Sequence, residues 1–313
     1  MGFIESLLAA GIARGTPLLI AVLGETLAER SGVMNLGLEG VMLASAMAGA
    51  GTAHATGSPM LGLCVAACVG AVFGLAHAWL TVSLRCDQVV TGLAMVFVGS
   101  GIASVGGAGL VALRQAVPHF DAARIPLLGE VPFAGHVLFG HVWLVYAAFL
   151  AVPLLHLFLT RTSWGLSITA SGENPNAASA MGIDVMRLRY ACVTAGGALA
   201  GVAGATLSLA VTPGWVDGLT AGQGWMAIGL VVVGGWRPVP AAAGALLLGT
   251  IQRLALDLQG LGIPLFQDPN TAYFLNMLPY LAAVLVLVAA ALAKRHSRAP
   301  AALGVPFAAG DVK

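Results

Sequence analysis

Charged and hydrogen-bonding side chains are scarce in this chain, so each one set inside an apolar run poses a chemical question. The densest group lies in Gly24-Glu-Thr-Leu-Ala-Glu-Arg-Ser-Gly-Val-Met-Asn-Leu-Gly-Leu-Glu-Gly40. There Glu25, Glu29, Arg30, Asn35 and Glu39 form a polar cluster at the cytoplasmic end of the first two apolar spans. Charge at membrane depth is costly, so such groups pair or line a wet cavity. Glu29 and Arg30 read as interfacial residues, whereas Glu25 and Glu39 adjoin apolar helix. Pairing with Arg30 or with helix N-termini would satisfy them, and direct contact with a solute is the other reading. Arg14, His77, His156 and Gln252 also sit inside apolar runs. No carboxylate at helical spacing accompanies either histidine, so each reads as a hydrogen-bonded packing residue rather than a proton relay. Arg14 can snorkel or meet an anionic group in a pathway.

Other chemistry is missing. A phosphate-cradling loop needs Gly-x-x-x-x-Gly-Lys-Ser/Thr, and the two lysines, Lys294 and Lys313, follow Ala293 and Val312. Cys64 and Cys68 share a helical face, but no His or carboxylate nearby completes a metal site, so they read as packing thiols. There is no His-Glu-x-x-His run and no nucleophile elbow. No catalytic, cofactor-binding or metal-binding residue is assigned, and an enzyme is not expected.

The elements that hold these residues follow from composition. Hydrophobic residues make up 58% of the chain and charged residues 9%, and mean hydropathy is +0.92. A soluble domain carries roughly 25% charge, so most of this surface faces membrane lipid. The net charge of +1 gives no reason to expect nucleic acid. Forty-two glycines lie within apolar runs, where small residues let membrane helices approach closely. Leu281 to Leu292 does not alternate, so the spans are helices rather than barrel strands. The fold class is all-α, a polytopic transmembrane helical bundle of about 8–10 spans.

Hydropathy places the spans near 7–27, 36–56, 60–84, 89–111, 138–160, 189–211, 223–235, 239–257 and 273–293. The run at 223–235 is too short to cross a core of about 30 Å. It either extends into the preceding loop or forms a half-helix lining a cavity. One orientation puts Arg30, Arg85, Arg161, Arg187, Arg189, Arg237, Lys294, Arg295, Arg298 and Lys313 on one side, against Arg114, Arg124 and Arg253. That asymmetry predicts an external N-terminus and a cytoplasmic C-terminus in an inner or plasma membrane. With Glu5 and no basic residue before Arg14, the first stretch reads as retained rather than as a cleaved signal. Residues 1–293 form one membrane domain, with a cytoplasmic loop at about 161–188. Residues 294–313 form a basic tail expected to be disordered.

That loop contains Ser171-Gly-Glu-Asn-Pro-Asn-Ala-Ala-Ser-Ala-Met-Gly-Ile-Asp184. Asn174 suits an N-cap and Pro175 the first helical position. Gly182 can end the helix in the left-handed conformation. The segment is either an ordinary ordered loop or a docking element, with Ala177 and Ala178 offering a small, close-packing face.

Glu29-Arg-Ser-Gly-Val-Met-Asn-Leu-Gly-Leu-Glu-Gly40 and the upstream Thr16-Pro-Leu-Leu-Ile20 resemble ABC-type permeases of the ribose and branched-chain amino acid superfamily. They are most similar to its nucleoside and simple-sugar branch. Gly172 to Ile183, Ala195 to Gly204, Gly224 to Ile228 and Gly244 to Gly249 match in place and order, so the likeness spans roughly residues 14–293. The resemblance implies the permease subunit of an ATP-driven importer for nucleosides, purines or simple sugars. Implied partners are two cytoplasmic ABC ATPase subunits, a second homologous permease and an extracytoplasmic solute-binding protein, often a lipoprotein. It also implies an ATPase-coupling role for Asn174, Pro175, Ala177, Ala178, Gly182 and Ile183. The competing reading is an ion-gradient-driven secondary transporter for a small polar solute, with Gly234-Gly235 as a helix break.

Overall fold

The computed structural model describes residues 2–111, 117–123, 129, 131–260, 269–292 and 299–307. Arg114, Arg124, Glu130, Lys294, Arg295, Arg298 and Lys313 lie outside the described residues. The described helices are α1 (Phe3–Arg30), α2 (Leu38–Thr56), α3 (Pro59–Ala78, extended by a wide turn, Trp79–Ser83), α4 (Gln88–Val111), α5 (Ala134–Leu138) and α6 (Trp143–Arg161). They continue as α7 (Ser163–Glu173), α8 (Pro175–Ala180), α9 (Val185–Thr206, extended by Leu207–Val211), α10 (Gln223–Val233), α11 (Pro238–Gly260) and α12 (Pro269–Leu292). Among the described residues there is no strand. Among the described residues six helices are long and apolar enough to cross a membrane. The protein is an all-helical multi-pass membrane protein.

Residues 18–23 of α1 are buried on every side, which places that helix at the centre of the bundle. Neighbouring helices close on one another through glycine. A Cβ at Gly70 would sit 2.2 Å from the Gly197 carbonyl oxygen, and one at Gly24 would sit 2.7 Å from that of Gly196. Backbone-to-backbone approach of this kind supplies dispersion contact where lipid offers helices no hydrophobic drive to associate. Val72, Phe97, Val105, Leu150 and Leu285 point outward and are exposed. They give the bundle the apolar exterior that a lipid surround requires.

Two stretches inside the bundle are not helical. The first, residues 31–37, is packed between helices, with Val33 wholly buried. Backbone groups at that depth need partners, and side chains provide them. The Met34 N–H donates to Gln88 Oε1 at 2.7 Å, and the Met34 carbonyl accepts from His77 Nε2 at 2.9 Å. His77 is therefore a packing residue that holds a loop. Gly40, just beyond this loop, lies against Met95, Val96 and Gly99. Gly99 is 11 residues along α4 from Gln88, or about 16 Å at 1.5 Å per residue. The start of α2 thus sits near the middle of the bundle's thickness.

The second stretch is residues 212–222, leading into α10. Trp215, buried at its upper end, lies against Gly107 near the end of α4. At its lower end Gly222 meets Glu39 at the start of α2. From there α10 runs 11 residues, about 16 Å, until Trp236 meets Glu29 near the end of α1. The short apolar run is thus a half-helix, and the loop before it completes the crossing.

The tail departs from expectation at residues 299–307. The Ala302 N–H donates to the Gly172 carbonyl at 2.8 Å and the Gly304 N–H to that of Gly32 at 3.2 Å. Arg189, 1% exposed, donates through Nη1 to the Val305 carbonyl and through Nε to the Ser31 carbonyl, both at 3.1 Å. Phe307 buries itself beside Ala178 and Val185. Pro300, Gly304 and Pro306 oppose a regular helix, but here the backbone finds partners on the helix ends. These contacts put residues 299–307 on the face that carries Arg30 and Glu173.

Candidate functional site

A cavity of about 340 Å³ opens beside the N-terminal end of α10. Arg14 from α1, Gln223 from α10, Gln252 from α11 and Asn276 with Tyr280 from α12 give it polar groups. Leu219, Met226 and Leu256 supply an apolar wall. The Tyr280 hydroxyl donates to the Ala221 carbonyl, tying α12 to the non-helical limb. Gln223 is 6% exposed, and its side-chain carbonyl has no hydrogen-bond partner. Gln252 Nε2 reaches only the Met226 sulfur, at 3.8 Å. Polar capacity left open in an apolar bundle marks a place where something polar binds or passes.

Glu39 holds the half-helix that borders this cavity. Its carboxyl oxygens accept from the Thr220 hydroxyl, from the Gly222 N–H at 2.8 Å and from the Gly224 N–H at 2.6 Å. Gly222 is the N-cap of α10, so a carboxylate satisfies donors that a helix start leaves unpaired. A Cβ at Gly224 would fall 2.4 Å from the Glu39 nitrogen. Only glycine permits this approach.

The four residues expected to cluster divide into separate roles. Glu25 Oε1 accepts from the Asn35 N–H at 3.1 Å, and Asn35 Oδ1 from the Gly37 N–H at 2.9 Å. Both residues stabilise the 31–37 loop. Glu39, in the first turn of α2, lies apart from them, against the start of α10. No ion pair joins Arg30 to Glu25 or Glu39. Glu29, read as interfacial, is instead buried and accepts from the Trp236 indole N–H.

At the inner end, Asn174 Oδ1 accepts from the Ala177 N–H at 3.0 Å and so caps α8. Pro175 is its first residue, and Gly182 follows it at φ +84°. Ala178 is buried against Val185 and Phe307, so it faces the protein's own core. Ala177 and Gly182 are exposed and Ile183 is half-buried. Met181, at 83% exposure, is the largest apolar group this segment presents.

The four cysteines are free, and among the described residues no three His, Cys, Asp or Glu converge as metal ligands.

A family model described as the permease component of the branched-chain amino acid transport system matches residues 7–290. The chain belongs to this permease family. Guanosine ABC transporter permease protein NupQ of Bacillus subtilis is 34% identical over 313 residues, covering 96% of each chain. Nucleoside ABC transporter permease protein NupC of Lactococcus lactis is 32% identical, covering 93% of each. A Haloferax volcanii protein provisionally named a glucose ABC transporter permease is 40% identical over 86% of this chain and 82% of its own. No solved structure matches the chain. The permease is a membrane subunit of an ABC transporter rather than its ATPase.

Sequence reasoning named Arg14 and Gln252 as intramembrane polar groups but did not join them. Gln223, Asn276 and Tyr280 were missed, since isolated amides and a tyrosine in apolar helices carry no periodic signal. Met181 and the 299–307 contacts were missed because exposure and tail docking are tertiary facts.

Proposed function

We propose that this permease is the solute-conducting subunit of an ATP-driven importer for nucleosides or simple sugars, with its energy supplied through α8. The observation that carries this reading is a polar cavity against a broken helix, in a chain whose sequence holds no phosphate-binding loop. ATP hydrolysis then belongs to separate ATPase subunits. Asn174, Pro175, Ala177 and Gly182 build the docking segment, with Met181 as its protruding apolar contact. Ala178 and Ile183 anchor it from behind. In this reading a second homologous permease and an extracytoplasmic solute-binding protein, often a lipoprotein, complete the assembly.

Closure of the ATPase dimer would move α8 and, through its anchorage on α9 and residues 299–307, the inner ends of α1 and α9. A partner drives such a change only by binding one conformation better than the other. The test is uptake in cells carrying Ala177→Arg or Met181→Arg. Both sites are exposed, so membrane insertion should be unchanged while ATP-dependent uptake falls at least ten-fold. Normal uptake in both variants would refute the docking role. Uptake by the purified chain without any ATPase subunit would instead favour a gradient-driven carrier.

A further inference from the structure

We infer that Arg14 gives the cavity beside α10 a net positive field that turns cations away, so that one side chain selects solutes by charge. The field follows from packing, and its use in transport rests on the permease reading. Arg14 is 11 residues beyond the start of α1, about 16 Å along the helix. Gly11 and Gly15, before and after it in α1, lie against Thr250 and Ala245 of α11, which fixes Arg14 at the depth of that helix's middle. A guanidinium held there must pair or reach a wet cavity. Arg14 makes no ion pair or hydrogen bond among the described residues, and it lines the cavity.

No described lining residue offsets that charge: none is acidic, and Arg14 is the only one with a fixed charge. The charge that α11 brings to Arg14 is that of Arg253, of the same sign. Asp257 answers Arg253, at 2.7 Å from its Nη2, rather than Arg14. Glu39 borders the same half-helix, but its oxygens are turned to the Thr220 hydroxyl and the Gly222 and Gly224 N–H groups. Those donors and the positive end of α10 offset its charge.

A neutral solute enters such a field at little cost, whereas an ammonium group or a metal ion is repelled and a carboxylate is drawn in. Fixed cations beside a path exclude mobile ones in this way. At an effective dielectric of about 20, a unit charge about 6 Å from the guanidinium is shifted roughly a hundred-fold in occupancy. Water in the open cavity weakens the field, so about ten-fold is expected. An arginine that snorkelled to an interface instead would leave the cavity without charge.

The test uses the purified complete transporter in detergent, so that both of its faces are reachable. Asn276→Cys puts a thiol in the same lining at an exposed position. It is treated with a trimethylammonium and with a sulfonate methanethiosulfonate reagent. Mass spectrometry of the peptide carrying position 276 separates its reaction from that of the native cysteines, and rates are taken relative to the same reagents on free mercaptoethanol. The sulfonate should be favoured about ten-fold, Arg14→Lys should keep that preference, and Arg14→Gln should abolish it. Equal rates with Arg14 in place, or a sulfonate preference that survives Arg14→Gln, would overturn the inference. Leu256→Cys repeats the comparison with Arg14 in place, which keeps the inference testable if Arg14→Gln does not assemble. ATP-dependent uptake of neither guanosine nor glucose in proteoliposomes would count against the permease reading and not against the field.

Discussion

Glu39→Ala is the most direct probe of how the broken helix is held. The side chain receives three hydrogen bonds, from the Thr220 hydroxyl and the Gly222 and Gly224 N–H groups. Bonds to a charged acceptor contribute about 1.5–3 kcal/mol each, but neighbours sharing one acceptor are not additive. Water can reach Thr220 or Gly222 once the limb loosens, which returns part of the loss. A net effect of about 4 kcal/mol on local opening follows, or about a thousand-fold in its equilibrium constant at 1.4 kcal/mol per decade. Glu39→Gln keeps one acceptor oxygen and turns an amide toward donors, so about 2 kcal/mol and a thirty-fold effect are expected. Hydrogen exchange on the purified full chain reads this directly. Peptides spanning 218–226 should exchange faster by those factors, while peptides from the middle of α9 stay at the wild-type rate and exclude global unfolding. Exchange at 218–226 within two-fold of wild type in Glu39→Ala would refute the claim that this carboxylate holds α10.

Three further outcomes test other contacts. Asn174→Ala should destabilise α8 by about 1 kcal/mol, and Asn174→Asp should restore it, read as exchange of the amides of residues 177–180. Gly70→Val places a side chain where the Gly197 carbonyl sits 2.2 Å from the ideal Cβ. Overpacking of that kind costs about 1–3 kcal/mol or more, and a marked loss of thermal stability in detergent should follow. Arg189→Leu removes the side-chain donor to the Val305 carbonyl and leaves the Ser31 carbonyl only the Ser171 hydroxyl. Residues 299–307 should then be released, seen as faster limited proteolysis there, and unchanged cleavage would show that the backbone bonds to Gly172 and Gly32 suffice.

Much of this architecture is legible in the residues. Few charges and long apolar runs admit only helices in lipid, because backbone groups must be satisfied within each segment. The spans read from hydropathy overlap α1 to α4, α6 and α9 to α12. The α8 helix could be read from Asn174, Pro175 and Gly182, since caps act over three or four residues and are written locally. The absent phosphate loop is equally a matter of sequence, because its spacing is contiguous. What no pattern could supply is which partner each buried polar group meets. Glu25, Arg30, Asn35 and Glu39 lie within 15 positions, yet Glu39 bonds to residues more than 180 positions away. Gln223, Gln252 and Asn276 form one lining because α10, α11 and α12 converge there. Local propensity acts over a few bonds and fixes where helices begin and end. Convergence depends on which glycine faces allow close approach, and that is settled only when the bundle assembles.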